Sequence, residues 1–411
     1  MSETFYGLPK DVRFCSECVI SNQRPSSVVE FKSLVKDTKQ TIAFDVSGVC
    51  DSCRFHKMKH EGINWDEREQ ALVSLLDRYR RSDGSYDVIV PGSGGKDSAY
   101  TAHILKEKYD MNPLTVTWAP HSYTDIGRQN FENWISVGGL DNILFTPNGK
   151  LHRFLTQQAF LNLLHPFQPF IIGQRIIGPL MAKKFGVDLV MYGENQAEDG
   201  NPIAENSIPL MAPKFYSSTD DSLPMLSGRS IEELCEIGGF KKREFAPYIA
   251  PPLKSFEDAG INVYYLGYFH KWDAQECYYY ACENTGFMAN DERTEGTFSK
   301  YSSIDDKIDM FHYYTTLIKF GLGRASYDAA QEIRMKKITR DEGVALVKRF
   351  DGEFPAKYFG DFLDYINISE DVFWKTIEKF RSPHLWTKTD NGWDLKTPVW
   401  GACERRVCLE T

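Results

Sequence analysis

The chain has 411 residues, 42% of them hydrophobic and 26% charged, the make-up of a globular protein with enough material for two or three domains. No apolar run reaches the roughly 18 residues that a spanning helix needs, and no charged-then-apolar leader opens the sequence, so a cytoplasmic protein without membrane contact is expected. The formal net charge of -9 argues against broad electrostatic binding of nucleic acid, and nine cysteines, an odd number, suit a reducing compartment where thiol pairs bind metal.

Taken in chain order, the first feature is a pair of C-x2-C knuckles, Cys15 with Cys18 and Cys50 with Cys53. Four thiolates are the tetrahedral set that a structural zinc prefers; an iron–sulfur centre or merely buried cysteines are the alternatives. The 31 residues between the pairs require a hairpin or loop over 22–48. A filled four-sulfur site leaves no open position for substrate, so its role is in folding. His56 and His60 follow closely, either as supports for the metal ligands or as solvent-facing helix positions.

Apolar residues at helical spacing predict a linking helix from Trp65 to Arg81. Val88 to Val90 then reads as a buried strand that runs into Gly92, Ser93, Gly94 and Gly95, with a helix beginning near Asp97. A glycine loop between strand and helix is a phosphate cradle: the backbone can approach an anion closely, and the helix N-terminus supplies free N–H groups and a positive dipole end. Ser93 and Ser98 add hydroxyls and Lys96 a cation. An ordinary βα loop is the other reading. The cradle lacks the spacing of G-x-x-x-x-G-K-[ST] and of G-x-G-x-x-G.

Beyond it the pattern alternates: strand Leu114 to Trp118, helix Asp125 to Val137, strand Asn142 to Phe145, helices Leu151 to Leu164 and Ile176 to Phe185, and strand Val187 to Tyr192 ending in Gly193, Glu194 and Asn195. Such alternation predicts βαβ units and a parallel sheet, with ligands at the carboxyl ends of the strands. That rule gathers the cradle, the Thr117 to Pro120 strand end and Gly193 to Gln196. The polar stretch from Gln196 to about Pro224 reads as a long active-site loop or lid. The last third reads as mainly helical; its charges, among them Arg324, Asp328 and Glu332, fit either a solvated ion-paired face or a ligand site. The expected organisation is an α/β protein with a zinc-knuckle module over 1–64, a sheet domain over 65–240 that includes the linking helix, and a mainly helical substrate or partner region over 241–411.

The segment Ser93-Gly-Gly-Lys-Asp-Ser98 resembles the S-G-G-x-D-S pyrophosphate loop of the PP-loop ATP pyrophosphatases, which cleave ATP between its α- and β-phosphates. With the four cysteines, the run Met191 to Glu198, and the segments Lys319 to Ala325 and Gln331 to Arg334 in this order, the chain resembles the N-acetyl sugar amidotransferases of pseudaminic-acid-type and lipopolysaccharide sugar biosynthesis. That resemblance spans nearly the whole length. It implies that ATP and ammonia convert an acetamido group of a sugar, or of its nucleotide conjugate, into an acetamidino group, with ammonia supplied by glutaminase and cyclase-like subunits.

On that reading Gly92, Ser93, Gly94, Gly95, Asp97 and Ser98 bind pyrophosphate, and Thr117, Trp118 and Ala119 meet the adenine. Lys96, Asp97, Glu194 and Asn195 are the candidate catalytic residues. Asp97 and Glu194 are the candidate magnesium ligands, although Asp97 at a helix start also suits a cap. Lys300, Arg324 and Arg334 are the candidate substrate cations. Cys235, Cys277, Cys282, Cys403 and Cys408 lie in no Cys-His setting, and residue 2 is Ser, so no glutaminase nucleophile is evident and a partner is expected. A tRNA sulfur-transfer enzyme, with Cys277 and Cys282 as its thiols, and a non-catalytic nucleotide-binding scaffold subunit are the competing functions.

Overall fold

The computed structural model describes residues 4–26, 38–194, 202–203, 207–218, 225–390 and 392–401. Asn195, Cys403, Cys408 and most of the expected lid lie outside the described residues. Among the described residues no helix is long and apolar enough to cross a membrane.

The cysteine-bearing segment ends in helix α1 (Asp51–Glu61), and α2 (Trp65–Tyr79) leads to the sheet. The Asn64 side chain accepts the Glu67 N–H and so fixes the start of α2. Five strands follow, β1 (Val88–Pro91), β2 (Pro113–Trp118), β3 (Asp141–Phe145), β4 (Leu189–Tyr192) and β5 (Asn262–Tyr265), in the order β3-β2-β1-β4-β5 and all parallel. Between them run α3 (Lys96–Glu107), α4 (Asp125–Ser136), α5 (Gly149–Leu163), α6 (Gln168–Phe185), α7 (Ile231–Gly238) and α8 (Leu253–Glu257). The expected α/β class, with its cysteine module ahead of the sheet and helices behind it, is what the structure shows.

Burial on both faces explains why β1 reads as an unbroken apolar run and why the two polar residues of β2, Thr115 and Thr117, are themselves buried. Ile89, Leu114 and Val116 point into one core with α5 and α6, while Val88 and Val90 point into a second with α2 and α3. Strand order reverses between β1 and β4, and in open parallel sheets that switch point is where the strand ends splay to leave a crevice. β5 lies past residue 240 and pairs with β4, so the sheet domain extends beyond the expected boundary. α6 starts eight residues before the expected Ile176, because Pro169 sits in its first turn, where a missing N–H costs nothing.

After β5 come α9 (Ala274–Thr285), α10 (Asp309–Phe320), α11 (Arg324–Arg334), α12 (Arg340–Phe350), α13 (Phe359–Ile366) and α14 (Glu370–Phe380), then a hairpin of β6 (Trp386–Thr389) and β7 (Gly392–Leu395). Phenylalanines knit this region to the sheet: Phe311 and Phe362 stack at 4.2 Å, and Phe373 stacks on Phe160 of α5 at 5.3 Å. The cysteine module docks on the same helices. Arg340 donates to the Cys18 carbonyl at 3.2 Å and to the Cys15 carbonyl at 3.4 Å, and His384 lies 3.0 Å from Gln23.

Phe362 is fully buried at the centre of this ring cluster, so Phe362→Ala should cost about 3–5 kcal/mol. Urea denaturation followed by tryptophan fluorescence checks this through a lower midpoint at unchanged slope.

Candidate functional site

The crevice at the switch point is a cleft of about 400 Å³. One wall is the loop after β1, where two glycines are obligatory. A Cβ on Gly92 would lie 2.2 Å from the Ser98 Cβ, and one on Gly94 would lie 2.8 Å from the Phe131 Cα, with φ at +85° besides. The chain thus turns tightly enough for α3 to begin at Lys96 beside the cleft, and its first N–H groups have no intrahelical acceptor.

Every loop residue expected to hold pyrophosphate lines the cleft: Gly92, Ser93, Gly94, Gly95, Asp97 and Ser98. Lys96 lines it too, with Nζ 2.5 Å from Asp97 Oδ2. Burial alone would lower the Lys96 amine, but the carboxylates of Asp97 and Glu194 more than offset this and hold it protonated above the ordinary lysine range. Asp97 Oδ1 is buried and has no hydrogen-bond partner. An oxygen left in that state is costly unless a cation or donor meets it, so the donor set fits a hard cation such as magnesium, with Glu194 beside it. Asp97 therefore does not spend its carboxylate on capping: no side-chain cap bond is made at the start of α3.

The other walls bring in residues that the motifs do not point to. Gln174 and Arg175 come from α6, with the Arg175 guanidinium over the Phe215 ring at 5.0 Å. Tyr301, Ser302, Ser303, Ile304 and Asp305 come from the segment before α10. Asp305 Oδ2 accepts the Ser93 hydroxyl at 3.0 Å, so the C-terminal region reaches directly into the glycine loop after β1. Burial, and then Asp306, raise the Asp305 carboxyl above the usual range, with Ser93 opposing. Nothing local in the sequence marks Asp305; its one signal is an acidic pair, Asp305-Asp306, in a stretch otherwise rich in serine.

Three expectations are corrected. Thr117, Trp118 and Ala119 do not line the cleft: Thr117 Oγ1 accepts from Asn142 at 3.0 Å, Trp118 packs on Phe145 at 4.9 Å, and the Ala119 N–H donates to the Phe145 carbonyl at 2.9 Å. Lys300 is exposed outside the cleft and donates to the Asp291 carbonyl at 2.7 Å. Arg334 is buried near His56 of α1 instead of at the cleft. Arg324 does line it, ion-paired to Asp328 at 3.0 Å and stacked on Tyr313 at 4.4 Å. Cys277 and Cys282 lie five positions apart on α9, and burial raises both thiols, so neither is a ready thiolate.

The four N-terminal cysteines converge: their sulfurs lie within 4.8 Å of one another, with Cys15 to Cys53 at 3.9 Å and Cys18 to Cys50 at 3.7 Å. A tetrahedron of metal–sulfur bonds near 2.3 Å has edges of about 3.8 Å, so the set fits one closed site. Backbone N–H groups of Cys50, Glu17 and Cys18 point at the Cys15 sulfur at 3.3, 3.4 and 3.5 Å. Hydrogen bonds among the thiols, with Cys18 first, pull Cys15 down, whereas Cys15 first pushes Cys53 up. Four buried thiolates cannot coexist without a cation to offset them.

Residues 295–399 match the family described as "LPS biosynthesis protein WbpG-like, C-terminal domain". The match takes in Ser302 to Asp305 and Arg324, all of which line the cleft. An uncharacterized protein of Methanocaldococcus jannaschii is 32% identical over 79 residues, 19% of this chain, and the alignment spans about a quarter (28%) of that relative. The structure of NMN synthetase from Francisella tularensis aligns over 48% of this chain and 92% of its own, at 14% identity and a TM-score of 0.24, too low to bear on the fold.

Gly94→Ala should cost about 1–3 kcal/mol through backbone strain and the Phe131 clash, as read by thermal denaturation. Burial, opposed by Arg324, pushes Asp309 up to about 7. The folded state therefore holds a proton that the unfolded state has lost between the ordinary carboxylate value of about 3.9 and that raised value, so stability falls as pH rises through this window. Asp309→Asn should flatten that part of the melting-temperature profile; an unchanged slope would refute the assignment.

Proposed function

We propose that the chain is an ATP-dependent, AMP-forming amidotransferase that converts an acetamido group of a sugar or nucleotide sugar into an acetamidino group. The observation that carries the reading is the loop Gly92–Ser98 at the switch point, facing a wall contributed by the WbpG-like domain. One half of the cleft suits polyphosphate; the other belongs to a domain described for lipopolysaccharide biosynthesis.

The chemistry needs both halves. An amide carbonyl is too weakly electrophilic for ammonia to displace its oxygen, so that oxygen must first become a good leaving group. Its attack on the α-phosphorus of ATP forms the O–P bond of an O-adenylyl imidate and breaks the bond to pyrophosphate, which departs into the loop. Ammonia then adds to the imidate carbon, and after proton loss AMP leaves with the former amide oxygen. Ser93, the N–H groups at the start of α3 and Lys96 hold the departing charge, and Arg175 and Arg324 add cations across the cleft. Asp97 and Glu194 would hold magnesium, which neutralises phosphate charge when bound. The four-cysteine site would hold zinc, and since none of its cysteines lines the cleft and a closed four-sulfur site leaves no open position, its role is in folding. Ammonia would come from glutaminase and cyclase-like subunits, since the described cysteines offer no nucleophile. The α9 thiols, Cys277 buried and Cys282 half-buried and both raised, disfavour sulfur transfer to tRNA.

The test supplies the purified chain with ATP, ammonium and a panel of free and nucleotide-linked acetamido sugars, following AMP and product mass. AMP with an oxygen-for-NH exchange is expected; formation of ADP, or no response to any sugar, would overturn the reading. Asp97→Asn should lower pyrophosphate release about 100-fold or more while metal content at the cysteines stays at wild-type level. Glutamine without a second protein should support no turnover.

A further inference from the structure

Two carboxyl groups stand side by side in the segment before α10, and packing gives them different surroundings. Asp306 is buried and uses its oxygens on the backbone N–H groups of His121, Ser122 and Ile308 and on the His121 ring. Asp305 lines the cleft instead, with Oδ2 3.0 Å from Ser93 Oγ. Set around Asp305 are Asp309 of α10, Arg324 of α11 and the Tyr123 phenol ahead of α4. Lys96, Asp97, Arg175 and Glu194 are the other charged residues of the cleft lining, and among the described residues no histidine or cysteine lines it. Arg324 is itself paired with Asp328 at 3.0 Å.

A hydroxyl has one proton to donate. While Asp305 is charged, Ser93 gives that proton to the carboxylate and presents only lone pairs to the cleft, which repel a phosphate oxygen. Once Asp305 carries a proton, the carboxyl donates to Ser93 Oγ and frees the Ser93 proton for the anion. A polyphosphate in the Gly92–Ser98 loop therefore selects the protonated carboxyl, its charge adding to that of the buried Asp306. Burial and then Asp306 already favour that form.

We propose that Asp305 and Ser93 form a proton relay that protonates pyrophosphate as it leaves ATP. The proposal rests on the AMP-forming reading and assigns a proton to its first step. As the bond from the α-phosphorus to the bridging oxygen breaks, the electron pair stays with that oxygen. The Ser93 hydroxyl proton passes to the departing pyrophosphate, and the Asp305 proton passes to Ser93 Oγ. Asp305 is left as a carboxylate and regains a proton from water after the products leave. Ser93 touches the reacting group and is the catalytic member, while Asp305 acts through it as a positioning and proton-supplying residue.

Asp305→Asn keeps a side-chain N–H for Ser93 but has no proton to pass on. With ATP and the acetamido sugar that supports AMP formation, its kcat for pyrophosphate release should be at least about tenfold lower, at a wild-type KM for ATP. The wild-type rate should fall as pH rises through the Asp305 range, because the carboxyl then loses the proton that it must pass on. The Asn variant should lack that decline, whereas Asp309→Asn should keep it. Ser93→Ala combined with Asp305→Asn should be no slower than Ser93→Ala alone, since the two residues act in one step. In the wild-type protein, release should be slower in D2O than in water, a readout that needs no variant to fold. A wild-type kcat or an unchanged pH decline in Asp305→Asn, or equal wild-type rates in D2O and water, would overturn the relay while pyrophosphate is still released. No pyrophosphate from the wild-type protein with any sugar would instead overturn the AMP-forming reading, and the relay with it.

Discussion

One buried carboxylate holds the two halves of the site together. Asp306 is almost wholly buried, and it accepts the backbone N–H of His121 at 2.7 Å, of Ile308 at 3.0 Å and of Ser122 at 3.3 Å, with the His121 ring at 2.8 Å. Bonds to a charged acceptor are worth about 1.5–3 kcal/mol each, and a buried charge deprived of its partners is strongly destabilising. The chain between β2 and α4 is thereby tied to the segment before α10. Beside it the Thr124 N–H donates to the Asp305 carbonyl at 3.2 Å, and Gly127 leaves room where a Cβ would meet the Asp305 Cα at 2.4 Å. With its neighbour fixed on both sides, the Asp305 side chain reaches the Ser93 hydroxyl. The cleft exists because this seam is closed.

The parts of the site that the sequence makes legible are those whose chemistry needs neighbours in the chain. A phosphate cradle requires consecutive glycines ahead of a helix, and a four-thiolate site requires paired knuckles, so Gly92 to Ser98 and the four cysteines stand out from spacing alone. The sheet is legible for a similar reason, since burial on both faces makes β1 and β4 nearly continuous apolar runs. β5 is harder to see: its residues Asn262, Val263, Tyr264 and Tyr265 alternate between half-buried and buried, and at the sheet edge a short polar strand is tolerated.

The opposite wall is written in no local pattern. Arg175 emerges from the middle of a largely apolar helix, and Asp305 is placed by the Asp306 seam through residues about 180 positions away. Lys300 and Arg334 have the charge that a sugar acid would want, yet burial geometry sends one to the surface and the other toward α1. Charge names a candidate, but only packing says where it points. The end of β2 shows the same limit from the other side. Thr117 to Ala119 lie at a strand terminus, as ligand-binding segments do, but β3 and the Trp118 ring occupy the space next to them.

Desolvation is the currency of the whole wall. Asp305, Asp309 and Asp351 are all raised by burial, and Arg324 is the cation set among them. Such an arrangement weakens the fold, because each carboxylate loses water for incomplete compensation, and a structure under selection for stability alone would replace the group with apolar side chains. Its presence suits the proposed reaction, in which phosphate charge would be met by groups already oriented and would need little reorganisation.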